Sequence, residues 1–231
     1  SAGGALSVLQ AFQDERVRGL FLFSPAFEIT SRAAWANLHK LYSWLMPRCA
    51  WLSVNADHDL YKYESFCKNA AAQMYRLTRT LPQQTLAIPV FAVASADDAT
   101  VHSAATLRFM QRARHPGNKL VWYATERVVQ NNIEWVNSAL PEKRILSSSH
   151  TAIVLPPEDA HYGVSGDYAN CLHYLPHDTQ SYAACMAPAH EVWHGEVHAQ
   201  NLKQGLVRRL MYNPHYAAME GSLSHFIESL P

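Results

Sequence analysis

Three short stretches of this chain carry the residue types of acyl-transfer chemistry. The first is Ser1-Ala2-Gly3-Gly4. It reads as the second half of a G-x-S-x-G nucleophile elbow, a sharp strand-to-helix turn that lifts a serine oxygen into solvent. The second is Ser95-Ala96-Asp97-Asp98-Ala99-Thr100-Val101, which follows an apolar run. It places a carboxylate just past the C-terminal end of a buried strand, where open α/β sheets build their sites. The third is Ser147-Ser148-Ser149-His150-Thr151, a histidine among small residues. Together they supply a nucleophile, an acid and a base. Ser1 would attack a carbonyl carbon, and His150 would take its proton and return it to the leaving group. Asp98 would orient the imidazole and stabilise its charged form. Asp97 is the rival acid, one residue earlier and so pointing differently; Asp98 is the expectation. The backbone N–H of Ala2 would be one oxyanion donor.

These residues need a sheet to position them, and the patterning supplies one. Ala5, Leu6, Val8, Leu9 and Phe12 form an apolar stripe at near-helical spacing directly after the turn. Residues 17–23 and 88–94 are largely apolar runs, as in strands buried on both faces of a parallel sheet. The spacing predicts a helix over 103–114, ended by Pro116-Gly117, and a third strand over 119–123. Between the first two strands the chain changes character. Trp35, Leu38, Tyr42 and Leu45 step by three and four, Trp44 and Met46 widen the stripe, and Pro47 stops it. A second helix is expected over 63–77. Residues 126–144 form a polar excursion, 155–188 a proline-rich aromatic loop, and further helices are expected over 201–211 and 217–230.

Serine, aspartate, histidine, each after a strand, is the triad order of the α/β hydrolases. On Ser1-Ala2-Gly3-Gly4, on Asp98-Ala99-Thr100-Val101 (a D-x-x-V run) and on Ser149-His150, the chain resembles the C-terminal portion of such an enzyme, of the carboxylesterase or lysophospholipase-like kind. The resemblance implies an α/β fold in one domain over 1–231, made of the later, mostly parallel strands of the hydrolase sheet. A two-helix insertion after a buried strand could be a lid, which makes 29–86 the expected helical lid with Trp35, Tyr42 and Leu45 bordering the substrate; the alternative is that these aromatics simply pack on the sheet. The resemblance implies hydrolysis of a small-molecule carboxylic ester, of lysophospholipid or acylglycerol type, through an acyl-serine intermediate and with no cofactor or metal. It also implies strands ahead of the elbow and a second oxyanion donor from an upstream loop. The sheet edge at residues 19–23 is therefore expected to be covered by a preceding segment or by a symmetry-related copy.

Other chemistry is spelled out as well. His190-Glu191-Val192-Trp193-His194 matches H-E-x-x-H, which on a helix would hold zinc as in a metalloprotease, with His198 a turn beyond. Ser1 could use its own α-amine as base. A hydrolase-like scaffold could also serve as a non-catalytic binding module. Cys171 and His173 at i, i+2 could pair on a strand, and the carboxylates of Asp159 and Asp167 could meet a cation or line the mouth of the pocket beside His150. Composition excludes more than it selects. Formal net charge is zero, which argues against a nucleic-acid partner, and no apolar run is long enough for a membrane span. Cys49, Cys67, Cys171 and Cys185 are scattered, so reduced thiols and a cytoplasmic setting are the expectation.

Overall fold

The computed structural model describes residues 2–187 and 191–230. Helix α1 (Ala2–Gln13) leads into strand β1 (Leu20–Phe23). An insertion follows: a 3₁₀ helix Ser31–Leu41, a 3₁₀ turn Pro47–Ala50, a small hairpin of β2 (Trp51–Ser53) and β3 (Phe66–Cys67), and helix α2 (Lys68–Thr80). The chain then returns to the sheet through β4 (Val90–Ser95), α3 (Ser103–Arg112), β5 (Lys119–Ala124) and β6 (Ile133–Asn137). The four main strands lie parallel in the order β1-β4-β5-β6. The last third carries α4 (Thr179–Met186), β7 (Trp193–Gly195), α5 (Ala199–Leu202), β8 (Val207–Arg209) and α6 (Tyr216–Glu228), with β7 and β8 paired in parallel.

The sheet is buried on both faces because its strands alternate apolar residues to two separate cores. Val90, Ala92 and Ala94 of β4 join Leu20, Leu22, Leu120 and Trp122 under Val8 of α1 and Met110 of α3. Phe91, Val93, Val121 and Tyr123 face the other way, onto Met219 and Phe226 of α6. The period of two explains why these strands read as continuous apolar runs. Every residue of β4 is buried. β1 lies at the sheet edge, and among the described residues it pairs only with β4. Among the described residues no helix is long and apolar enough to cross a membrane.

Five local expectations are corrected. The stripe at 35–46 is not an α-helix: it is 3₁₀ over Ser31–Leu41 and irregular beyond, and only Ala33 and His39 of that helix are buried. Trp35, Trp44 and Leu45 are exposed, so no packing selects the α register. The second helix starts at Lys68 rather than at residue 63, because side-chain carboxylates hold the preceding backbone in turns. Asp57 accepts from Glu64 N, Glu64 from His58 N, and Asp59 from Tyr61 N and Lys62 N. The polar excursion at 126–144 contains β6, a half-buried edge strand whose Glu134 and Asn137 mask it. The helix at 201–211 ends after Leu202: Gly205 takes φ +126°, and the chain turns into β8. Finally, Cys171 and Cys185 form a disulfide, while Cys49 and Cys67 are free. The two sulfurs are far apart in sequence, and it is the return of α4 onto the 3₁₀ helix Leu172–Tyr174 that brings them together.

The disulfide predicts a thiol count. In denaturant without reductant, two of the four cysteines should alkylate, and all four after reduction. Replacing Cys171 and Cys185 by serine should lower stability by roughly 2–4 kcal/mol in a denaturant titration; four reactive thiols before reduction would show that the bond is absent.

Candidate active site

The acid is built by the turn that ends β4. After Ser95 the chain bends, and Asp98 Oδ1 accepts the backbone N–H groups of Thr100 at 2.8 Å and Val101 at 2.9 Å. This aspartate turn fixes the carboxylate before any partner arrives. Its other oxygen, Oδ2, lies 2.6 Å from His150 Nδ1, and the Asp98 side chain is 1% exposed. The distance is that of a charge-assisted hydrogen bond. It fixes Nδ1 as the protonated nitrogen and leaves Nε2 as the free base, as an orienting acid requires. Asp97 takes the other direction. Its carboxylate accepts from Ser95 Oγ at 3.4 Å, and burial pushes its pKa up. The rivalry between the two aspartates is decided by which carboxylate meets the imidazole, and that is Asp98.

The base sits on a loop anchored from below. Ser149 Oγ donates to the Leu210 carbonyl and accepts from Ala152 N, and Ser147 Oγ accepts from Glu196 N and Asn201 Nδ2. All three serines before His150 are buried. Ser24, at the end of β1, donates to the His150 carbonyl at 3.3 Å and takes φ +43°. A non-glycine residue at positive φ is strained, and strain of this sort gathers at functional sites. His150 and Ser24 face a cavity of about 320 Å³, shared with Lys62, Tyr162 and Met211.

Ser1 lies outside the described residues. Ala2 is the first described residue of α1, and N–H groups in the first turn of a helix have no acceptor within it. Ala2 also lines a largely apolar cavity of about 670 Å³ with Ala33, Trp35, Tyr42, Met74 and Val101. Two of the three residues expected at the substrate, Trp35 and Tyr42, are therefore on that wall. Leu45 is not among the lining residues and is exposed. The cavity also touches Thr100, two residues beyond Asp98.

Several sequence motifs resolve into structure of another kind. His190 lies outside the described residues. Trp193–Gly195, the end of the H-E-x-x-H run and the residue after it, is a β-strand, so the one-face helical spacing that zinc needs is lost. Glu191 pairs with Arg144 at 2.9 Å. Among the described residues no group of three histidines, cysteines or carboxylates could hold a metal. Cys171 is in the disulfide, which removes the thiol–imidazole pairing. Asp159 accepts from His161 N and Tyr162 N, and Asp167 bonds His161 Nδ1 at 2.5 Å, so both carboxylates serve this chain's own donors. His161 and the nearby tyrosines tie the insertion to this loop, since Tyr162 Oη donates to Asp59 and Tyr168 Oη to Glu64. Tyr162 also lines the His150 cavity, whereas Asp159 and Asp167 do not.

Sequence reasoning missed Glu196 and Arg209. Glu196 is fully buried and contacts both site loops. No local motif marks it, because it acts through pairings that only the fold makes.

No protein-family model matches the chain, and no curated protein matches it. Among solved structures it is similar to the monoacylglycerol lipase of Paleococcus ferrophilus, with TM-score 0.41 and 14% identity, over 54% of this chain and 56% of that one. It is similar also to Est1E from Butyrivibrio proteoclasticus with ferulic acid bound, with TM-score 0.31 and 17% identity over 55% of this chain and 48% of that one. A further Est1E structure gives TM-score 0.29 and 19% identity over 55% and 49%. The chain spans about half the length of the solved structures it matches. At these scores the likeness is slight.

Burial of two histidines gives a pH prediction. Desolvation first, then Arg208 and Arg144, pushes His194 down to about 4; burial, then Arg209, does the same for His173. Both start from an ordinary value of 6.5. Above that value both are neutral whether folded or not. As pH falls from about 6.5 towards about 4, the unfolded chain binds protons that the folded chain refuses, and stability drops. The melting temperature should fall across this window, less steeply in His194→Phe. An identical slope in that variant would contradict the assignment.

Proposed function

We propose that this chain carries the catalytic machinery of a serine hydrolase of the α/β-hydrolase kind, cleaving carboxylic esters through an acyl-serine intermediate. The observation that carries the proposal is the 2.6 Å contact between His150 Nδ1 and the buried Asp98 Oδ2 at the end of β4. Three features support it. The acid follows a central parallel strand and the base follows the sheet, in the order the family resemblance implies. Residues Ala2–Gln13, which follow the serine of the elbow motif, are helical. An apolar cavity touches Ala2 and Thr100, so an acyl chain would find its binding wall next to both ends of the machinery.

The steps follow from these groups. Ser1 Oγ attacks the ester carbonyl as His150 Nε2 takes its proton. The Ala2 N–H donates to the developing oxyanion. His150 protonates the leaving alcohol, and Asp98 stabilises the imidazolium throughout. Water then repeats the sequence on the acyl-serine. Residues 29–86 act as a lid in this account, with Trp35 and Tyr42 shaping the acyl cavity. The apolar lining favours an acylglycerol or lysophospholipid over a polar ester. The disulfide favours an oxidising compartment over the cytoplasm.

In protein competent for ester turnover, Ser1→Ala and His150→Ala should each abolish measurable kcat, and Asp98→Asn should lower it on the order of 10⁴-fold with the melting curve little changed. Asp97→Asn should keep most of the activity. Equal losses from the two aspartate variants would overturn the assignment of the acid. Trp35→Ala should change preference among acyl chain lengths more than it changes the melting temperature; the reverse would remove the lid from the substrate site.

A further inference from the structure

The buried carboxylate that sequence reasoning missed stands behind both loops of the site. Glu196 follows β7, and its side chain is 1% exposed. Its Oε2 accepts from His150 N at 3.1 Å, from Ala99 N at 3.3 Å and from Arg209 Nη2 at 3.0 Å. Its Oε1 accepts from Val197 N at 2.9 Å and lies 2.9 Å from Arg209 Nε, an ion-pair contact off the line of a hydrogen bond. Thus a single oxygen binds the backbone of the base itself and the backbone of the residue next to the acid. Arg209 reaches the acid loop from the other side, donating to Thr100 Oγ1 at 2.7 Å.

The small sheet explains why these two charges meet. β7 and β8 run parallel with Gly195 opposite Arg209, so Glu196 leaves the strand beside the arginine. Gly195 leaves room for this: a Cβ there would lie 3.0 Å from both Ser147 Oγ and Asn201 Nδ2. Arg209 N of β8 donates to the Asn170 carbonyl at 3.0 Å, and the disulfide joins the neighbouring Cys171 to Cys185 of α4. The small sheet is thereby braced where it meets the site.

We propose that Glu196, supported by Arg209, is a positioning residue that holds the Asp98 loop and the His150 loop in register. The proposal rests on the assignment of Asp98 and His150 as acid and base. A buried ion pair is a poor way to gain stability, because the loss of hydration offsets most of the attraction. Its use here is geometric and electrostatic: one carboxylate fixes the backbone of the base and that of Ala99, next to the acid, and it puts a negative charge at the His150 backbone.

The test is a set of variants in the native protein, each checked by thermal melting. Glu196→Gln loses the carboxylate and turns an amide N–H towards backbone donors. Its kcat should fall roughly ten- to a hundredfold with KM little changed. The acidic limb of its kcat/KM profile should move to lower pH, since the positive charge of Arg209 is then uncompensated at the His150 backbone. Arg209→Met should move that limb to higher pH, by leaving the Glu196 charge uncompensated. A purely structural role would not move the limb in opposite directions. If Glu196→Gln does not fold, Arg209→Lys keeps the charge and loses the two-pronged contact with Glu196 and Thr100, and its kcat should fall with KM little changed. Folded variants with unchanged kcat and limb position would overturn the proposal. His150→Ala is the separate control: full turnover in that variant would remove the hydrolase assignment itself, whatever Glu196 does.

Discussion

The site depends on one carboxylate held out of water by its own turn and by the imidazole. Asp98 is almost wholly buried, and a buried charge is costly unless its lone pairs are met. Here they are: two backbone N–H groups on one oxygen and an imidazole on the other. The backbone donors belong to the acid's own turn, so they hold the carboxylate before the histidine is in place. The imidazole then has one orientation available in which Nδ1 meets the acid. A base oriented in this way needs no rearrangement when a proton arrives, which is the advantage of a preorganised site.

Two scaffolds converge on that contact. The parallel sheet, packed on both faces, delivers the acid at the end of its most buried strand. The second scaffold is the small β7–β8 sheet with the loops around it, which carries Glu196 and anchors the serines before His150. Neither scaffold alone brings acid and base together. The insertion is the more loosely made part: many of its large apolar side chains face outward, and a hydrogen-bond network through Asp59, Tyr162, Tyr168 and Glu64 joins it to the body near His150. Such a segment can shape a pocket without contributing to the core.

What could be read from the sequence follows the range of the forces involved. β4, β5 and α3 are set by local apolar patterning, and they lie close to the expected spans. The pairing of Asp98 with His150 was expected from motif order, although the residues are 52 apart. Elements fixed by distant partners were missed or misread. β7 and β8 are three-residue strands that exist because they pair with each other, and β8 lay within an expected helix. The stripe at 35–46 has helical spacing but no core against which to express it. Cys171 and Cys185 carry no spacing signal. Glu196 is a lone acid after a glycine, and only the meeting of three distant segments gives it a role.

The central claim is that Ser1 is a nucleophile served by His150. The most direct measurement is treatment of the native protein with a fluorophosphonate, followed by mass mapping of the labelled peptide. The account predicts one adduct, on Ser1, formed rapidly in the native protein and lost in His150→Ala. An adduct on another residue such as Ser24, or labelling of Ser1 that does not depend on His150, would contradict it.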